Sequence, residues 1–500
     1  MPVKYILAID QGTTGSRAVL YDKNAKKIAG AYEEFRQYFP KPGWVEHDPQ
    51  DIFKSVNNSI QKVLKSVPRA QIAAIGITNQ RETTCLWDKN TGIPVYNAIV
   101  WQCRRTAERC NELKKKKGER EFFKKITGLP IDAYFSATKI EWILKHVPGA
   151  LRKAQNGELF FGTTDTWILW KLTGGKSHAT DFTNASRTML FNIEKLEWDT
   201  RLLEKFKIPR RILPEVRKSS GVFGETVKIG RLPKGIPIGG IAGDQQAALF
   251  GQACFQPGTM KNTYGTGCFI LLNTGKIRPH SKYGLITTLA CGPGCEPVYA
   301  LEGAVFIAGA AIQWLRDGLK ILSSAAVSEK MAKMLKDNSG VYFVPALVGL
   351  GAPYWDSDAR GAIFGITRGT NANHFVRAAL EAMCYQTKDV LLAMQKDSGF
   401  KIKSLKVDGG AAANNFLCQF QADMLGIDVV RPKVIESTAL GAAYLAGLAV
   451  GYWKDIGEVK KYWQKDKVFH PMMPKAVASG FYQGWLTAVK RTLKETNETL

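Results

Sequence analysis

A chain of 500 residues with 45% hydrophobic content carries more apolar material than one core holds, because single domains stop growing near about 250–300 residues; two lobes are the expectation. No stretch approaches the roughly 18 consecutive apolar residues of a membrane helix, so no stable membrane insertion is expected, and 47 glycines with 21 prolines suit a turn-rich α/β enzyme better than a disordered chain. The net charge of +25 raises nucleic acid as a partner, but the lysines are dispersed and no zinc-finger spacing, RNA-recognition motif or sustained basic face accompanies them; a solvated basic surface favouring anionic substrates such as ATP is expected, with no nucleic acid.

In chain order, Tyr5 to Ile9, Arg17 to Tyr21 and Lys27 to Phe35 read as strands of an antiparallel meander, with turns at Gly12-Thr13-Thr14-Gly15 and Asp22-Lys23-Asn24. A Pro/aromatic loop over 39–49 leads to a helix from Asp51 to Lys65, which carries Ile52, Phe53, Val56, Ile60, Val63 and Leu64 at helical spacing. Ile72 to Thr78 is a buried-type strand that enters Asn79-Gln80-Arg81-Glu82-Thr83-Thr84. The run Lys114-Lys115-Lys116-Lys117 lies in a helical stretch that Gly118 is expected to end. Helices are predicted over 137–147, 165–173 and 198–206, strands with loops over 219–240, and the crossover between lobes within 241–260.

The second half repeats the theme. Thr259 to Thr274 reads as a hairpin about Tyr264-Gly265-Thr266-Gly267, and Val305 to Leu319 as a helix. Leu405 to Val407 reads as a strand ending in Asp408-Gly409-Gly410, ahead of a helix from Asn415 to Leu425; Ser437 opens a helix of small residues suited to close packing. At the N-terminus, Met1-Pro2-Val3-Lys4 leads directly into a strand, without the apolar core and cleavage site of a secretory segment, and Asn497-Glu498-Thr499-Leu500 is no organelle address. Nine scattered cysteines, the closest pair being Cys291 and Cys295, fit free thiols in a reducing cytoplasm, and the six histidines share no spacing that suggests metal or catalysis.

Two Asp-anchored turns lie about half a sequence apart: Ile9-Asp10-Gln11-Gly12-Thr13-Thr14 and Ile241-Ala242-Gly243-Asp244-Gln245-Gln246. A carboxylate at a strand end can hold Mg²⁺ or accept a proton, and Gly-rich backbone lets N–H groups approach phosphate oxygens. Arg17, on the strand after the first turn, can neutralise phosphate; Tyr264-Gly265-Thr266-Gly267 is a second phosphate-turn candidate, and Asp408-Gly409-Gly410 with Asn414 admits a flat ligand. Each also has a plain reading as a turn or packing feature, and their joint order is the stronger signal. Arg81-Glu82 can hold a polyol, one donating and one accepting, or form a surface ion pair. Asp244-Gln245 offers a base for a hydroxyl, or a helix cap. Trp101, Tyr134 and Phe269 are candidates for walling a small pocket.

These residues carry a resemblance. The runs Asp10 to Thr14, Pro42-Gly43-Trp44-Val45-Glu46-His47-Asp48-Pro49, Gly76 to Thr84, Val100-Trp101-Gln102-Cys103-Arg104-Arg105-Thr106, Gly243 to Gly251 and Tyr264 to Gly267 resemble the FGGY family of carbohydrate kinases over essentially the full length. So do two longer signatures, one from Tyr134 through Lys139 and Trp142 to His146, the other from Gly361 through Gly365 and His374 to Glu381. The run Asn79 to Thr84 is most similar to the glycerol-phosphorylating members, as against those acting on xylulose, ribulose or gluconate.

The resemblance implies an α/β chain with two lobes of actin-like (ribonuclease H-like) fold about a central cleft. An N-terminal lobe over 1–250 would bind polyol and phosphate, and a C-terminal lobe over 251–500 the adenine nucleotide. It further implies ATP-dependent phosphorylation of a terminal glycerol hydroxyl to give sn-glycerol 3-phosphate, in a cytoplasmic homodimer or homotetramer. Arg81, Glu82, Tyr134, Asp244 and Gln245 would take the glycerol hydroxyls, and Trp101 and Phe269 its carbons. Thr13, Thr14, Gly15, Arg17, Thr266, Gly309, Gln313, Gly410 and Asn414 would serve ATP, Asp10 would organise Mg²⁺, and Asp244 would be the catalytic base. Gly15 stands where the family commonly has Ser, which leaves backbone N–H groups to serve the phosphate. The segment Gly230 to Gly235 lacks the family's Gly-Gly-Thr-Arg loop for fructose 1,6-bisphosphate, and no histidine lies between 179 and 279, so neither effector binding nor histidine phosphorylation is expected. The competing readings are a kinase of the same family with another polyol or ketose, and an actin-like ATPase without a small acceptor.

Overall fold

The alternating apolar residues that open the chain fold as the meander they spell. In the computed structural model, which describes residues 4–493 apart from 69 and 357, β1 (Lys4–Gln11), β2 (Gly15–Tyr21) and β3 (Lys27–Glu34) pair antiparallel in succession. The readings at residues 1–3 and 497–500 lie outside the described residues. The helix α1 (Pro49–Ser66) begins before Asp51, because the Asp48 carboxylate caps it, accepting from the Gln50 N–H at 2.8 Å. β4 (Gln71–Asn79) then runs parallel to β1.

The helices α2 (Ser136–His146) and α3 (Thr164–Leu172) each start one residue before their predicted bounds. The predicted helix over 198–206 is Thr200–Lys205, capped by Asp199. The lysine-rich helix ends at Lys115, and Gly118, at φ +82°, precedes the next helix, Glu119–Thr127, instead of closing the first. β5 (Ser220–Glu225) and β6 (Pro237–Gly243) complete a six-stranded sheet of order β5-β6-β4-β1-β2-β3, with β6 parallel to β4. β1, β4 and β6 therefore end at one edge, where Gln11, Asn79 and Gly243 stand side by side in register. That edge, outside the carboxyl ends of parallel strands, is where open α/β sheets place ligand-binding groups. Beneath it Leu7, Ile9, Ile75 and Ile77 pack with Val56 and Ile60 of α1 and Ile168 of α3.

α4 (Asp244–Gly251) leaves β6 directly. The later strands, β7 (Met260–Tyr264), β8 (Cys268–Gly275), β9 (Ile286–Cys291), β10 (Pro297–Val305), β11 (Ser404–Asp408), β12 (Asp428–Pro432) and β13 (Lys465–Phe469), form a seven-stranded sheet of order β9-β10-β8-β7-β11-β12-β13. Here too a hairpin, β7-β8, is followed by parallel neighbours, β7 beside β11 and β11 beside β12. The helix predicted from Val305 is α5 (Gly309–Asp317): Val305 still belongs to β10, an apolar run whose length alone does not separate strand from helix. α6 (Asn415–Leu425) has its predicted bounds.

By its internal contacts the chain forms two units, one of Met1–Phe255, Thr287–Tyr299 and Ser437–Tyr462, the other of Gln256–Ile286, Ala300–Glu436 and Trp463–Leu500. The chain changes unit after Phe255 and returns to the first unit twice, so the units are not two continuous halves. Small residues explain the return of α7 (Ser437–Ala449) to the first unit: a Cβ on Gly76 of β4 would lie 2.1 Å from the Ala442 carbonyl oxygen, and one on Gly441 would lie 1.8 Å from that of Ala247 in α4. Among the described residues no helix is long and apolar enough to cross a membrane.

Gly441→Ala should therefore lower the denaturant midpoint, by the ~1–3 kcal/mol of an overpacked core or more. Gly480→Ala, in an exposed helical position with nothing near a built Cβ, should raise stability by about 0.5–1 kcal/mol. Equal effects at the two sites would refute the close-packing argument.

Candidate active site

At the shared strand edge, β4 runs into a turn that buries two opposite charges. The Thr83 N–H donates to the Arg81 carbonyl at 2.7 Å across Glu82, whose φ is +60°, a tight three-residue turn in a region that non-glycine residues seldom occupy. Arg81 is 3% and Glu82 1% exposed, so the surface ion-pair reading of this dipeptide does not hold. Arg81 Nε lies 3.1 Å from Asp244 Oδ1 and 3.9 Å from Glu82 Oε1, and Arg81 Nη1 donates to Gln246 Oε1 at 3.2 Å. Asp244 is the first residue of α4, not its cap, which is Gly243; its side chain is 32% exposed, and both the Gln245 N–H (2.7 Å) and Gln245 Nε2 (3.0 Å) donate to its carboxylate. A solvent-facing carboxylate thus stands beside a buried guanidinium.

The aromatic candidates of the first unit join this cluster. Trp101 meets Tyr134 edge to face at 5.6 Å, donates from its backbone N–H to Thr83 Oγ1 at 3.3 Å, and donates from Nε1 to Thr13 Oγ1 at 3.0 Å. That last bond ties the polyol candidates to the β1–β2 turn. In the turn the Gly12 N–H donates to the Gly15 carbonyl at 2.9 Å, and register sets Arg17 opposite Asp10. Gly15 has a steric reason here: a Cβ would lie 2.5 Å from the Tyr32 hydroxyl, which hydrogen-bonds Thr14 Oγ1 at 3.2 Å.

Asp10, the hydroxyls of Thr13 and Thr14 and the turn backbone are hard oxygen and N–H groups of the kind that suit a Mg²⁺–phosphate. Among the described residues no three His, Cys, Asp or Glu side chains gather as a metal cage. Mg²⁺ with a nucleotide needs no such cage, because one or two carboxylates with water and phosphate oxygens complete its shell.

In the second unit the predicted nucleotide residues also converge. The Ala308 and Ala310 N–H groups donate to the Thr266 carbonyl at 2.8 and 3.1 Å, and the Gly309 N–H donates to that of Gly265 at 3.0 Å, so the Tyr264–Gly267 turn sits on the start of α5, which carries Gln313. Gly409, at φ +83°, lets β11 end against the Tyr264 backbone, 2.4 Å from where a Cβ would stand; Gly410 has open space around it. Asn414 caps α6 through Leu417 N–H (3.0 Å) and donates to Ser328 Oγ at 3.3 Å. Phe269 lies on β8, opposite Thr263.

Sequence reasoning missed a buried polar layer under the turn. Arg187, fully buried, donates from Nε to Glu82 Oε1 at 2.5 Å; Lys139, also fully buried, donates to the Glu82 carbonyl at 3.2 Å and the Tyr134 carbonyl at 2.6 Å. Burial pulls the Lys139 ammonium down to about 8. Asp165, pushed up to about 6 by burial, and Asn184 both accept from Asn79 Nδ2, at 3.4 and 3.1 Å. The one available signal was a lone cation in an otherwise uncharged run, Asn184-Ala185-Ser186-Arg187-Thr188-Met189-Leu190. His47 is fully buried, bonded to Gln37 Oε1 at 2.6 Å and to Gln80 Nε2 at 3.4 Å, and burial lowers its ring to about 3.

The N-terminal domain of the FGGY family of carbohydrate kinases matches residues 5–251, and the C-terminal domain of that family matches 260–450. The chain belongs to this family. A glycerol kinase of Fusobacterium nucleatum is 59% identical to this FGGY chain over 494 residues, 98% of this chain and 99% of the relative; glycerol kinase 2 of Thermotoga maritima is 59% identical over 493 residues, again 98% and 99%. Among solved structures, a Plasmodium falciparum glycerol kinase with ADP superposes with a TM-score of 0.91 at 37% identity, covering 99% of both chains. A gluconate kinase from Lactobacillus acidophilus gives 0.85 at 25% identity, with 98% of both chains covered. The FGGY fold is thus the actin-like α/β fold, in two units.

His47 supplies a pH test of the packing beside Gln80. Its ordinary value is 6.5 and its folded value about 3, so between these the folded chain binds fewer protons than the unfolded one. Its contribution to stability is complete above pH 6.5 and is lost as pH falls toward 3. His47→Gln should lower the pH at which acid unfolds the chain; an unchanged acid midpoint would refute a His47 contribution to acid unfolding.

Proposed function

We propose that this chain transfers the γ-phosphoryl group of ATP to a terminal hydroxyl of glycerol, giving sn-glycerol 3-phosphate and ADP. The observation that carries the reading is the strand-end cluster, where solvent-facing Asp244 lies 3.1 Å from buried Arg81, beside buried Glu82, with the Trp101–Tyr134 pair tied to the same turn through Thr83. Relatives 59% identical over nearly the whole chain bear the name glycerol kinase.

In this reading Arg81 donates to, and Glu82 accepts from, the polyol hydroxyls, with Tyr134 and Gln245 completing the set and Trp101 and Phe269 against the carbons. A small triol offers its hydroxyls as both donors and acceptors, which an adjacent guanidinium and carboxylate match. Asp244 takes the proton of the attacking hydroxyl, for which its outward carboxylate at the start of α4 is suited. Thr13, Thr14, the backbone at Gly15 and Arg17 are assigned to phosphate oxygens, and Thr266, Gly309, Gln313, Gly410 and Asn414 to the nucleotide. Asp10 would hold Mg²⁺, which, when bound, offsets charge on the β- and γ-phosphates. Nine free thiols fit a cytoplasmic setting, and a homodimer or homotetramer is part of the same proposal.

ADP release with Mg·ATP, measured against glycerol, dihydroxyacetone, xylulose, ribulose and gluconate, should select glycerol. Asp244→Asn should lower kcat about 10²–10⁴-fold, the usual worth of a general base, with little change in KM for ATP. A ketose or gluconate preference would overturn the acceptor, near-normal kcat in Asp244→Asn would overturn the base, and ATP turnover indifferent to every acceptor would favour an actin-like ATPase.

A further inference from the structure

The strained turn at Glu82 is held by groups that none of the acceptor roles uses. Its carbonyl oxygen accepts from Lys139 Nζ at 3.2 Å and from Ser136 Oγ at 3.1 Å, both on the first turn of α2. Its carboxylate accepts from Arg187 Nε at 2.5 Å, and the same guanidinium lies 5.5 Å from the centre of the Tyr134 ring. Lys139 reaches the Tyr134 carbonyl at 2.6 Å as well. Two fully buried cations therefore each grip both Glu82 and Tyr134, one at the side chains and the other at the backbone.

A buried cation without a ligand of its own is costly, and its burial here is matched by these bonds. A glutamate on three rotatable bonds, in a backbone region worth roughly 1–3 kcal/mol of strain, does not keep one orientation unaided. We propose that Arg187 and Lys139 are positioning residues for the acceptor polyol. Arg187 fixes the Glu82 carboxylate and the Tyr134 ring relative to each other, and Lys139 fixes the two backbones that carry them. The pair is assigned to acceptor recognition because it bonds the two residues placed at the acceptor. The proposal rests on the acceptor assignment above and adds the groups that set its geometry.

The test is steady-state kinetics of the full chain carrying Arg187→Gln, Arg187→Lys and Lys139→Met. Arg187→Gln should raise KM for glycerol about 10–100-fold, the range expected when a charged hydrogen bond is lost, with KM for ATP changed less than about threefold. Arg187→Lys, which keeps the charge but not the planar fork, should fall between it and the parent. Lys139→Met should show the same split. In a double-mutant cycle with Glu82→Gln, the effect of Arg187→Gln should shrink to a small fraction, because its target is already altered.

Parallel rises in KM for glycerol and ATP, or full additivity with Glu82→Gln, would overturn the proposal in favour of general structural support. If Arg187→Gln does not fold, Arg187→Lys and its cycle with Glu82→Gln decide alone. If the parent phosphorylates another polyol, the shift is read on that polyol, so the acceptor assignment and the positioning role fail separately.

Discussion

A carboxylate buried at the end of a parallel strand imposes the constraint around which the first unit is organised. Glu82 is 1% exposed and its backbone is left-handed, a combination that water cannot relieve. The surrounding structure supplies the relief: Arg187 at the carboxylate, Ser136 and Lys139 at the carbonyl, and Arg81 beside it. Removing either side of such a buried set leaves an uncompensated charge, so the partners are mutually dependent. The start of α2, the turn after β4 and the Arg187 segment are thereby held to one geometry.

That geometry propagates outward through short contacts. Arg81 reaches Asp244 and Gln246 on α4, which fixes the start of that helix against the end of β4. Tyr134, above Arg187, meets Trp101, and Trp101 reaches Thr13 in the β1–β2 turn. A chain of hydrogen bonds, ion pairs and ring contacts thus runs from the phosphate-turn candidates to the proposed base without leaving the first unit. The strands that carry its ends are kept in register by the sheet, and the sheet accepts α7 at close range only because Gly76 and Gly441 have no side chain. Close backbone approach therefore does for the scaffold what buried ion pairing does for the site.

The second unit uses the first of these devices more than the second. Gly265, Gly309 and Gly409 bring the Tyr264 turn, the start of α5 and the end of β11 within backbone contact. The Tyr264 hydroxyl, fully buried, is anchored on Gln421 Oε1 at 2.6 Å. The candidate nucleotide residues there are mostly main-chain groups and small side chains, so their placement depends on turn geometry instead of charge.

This division governs what was legible in the sequence. The meander, the Gly12-Thr13-Thr14 and Tyr264–Gly267 turns, the strand entering Arg81-Glu82 and the helix from Asn415 were readable because each follows from local periodicity or turn chemistry within a few residues. Helix starts were less so: α1 opens at Pro49 behind the Asp48 cap, two residues before the predicted start at Asp51, since several acidic residues compete locally and only the folded backbone selects one. Arg187 was not readable as a site residue, because its partner lies 105 positions away, and its one local mark, a lone cation in an uncharged run, does not name that partner. The same holds for the burial of Arg81-Glu82, for Lys139, and for the return of α7 to the first unit. The sequence by itself determined the elements and the chemistry available at each turn. Tertiary structure alone decided which charges were taken out of water and paired, because burial belongs to the assembled chain and to no segment of it.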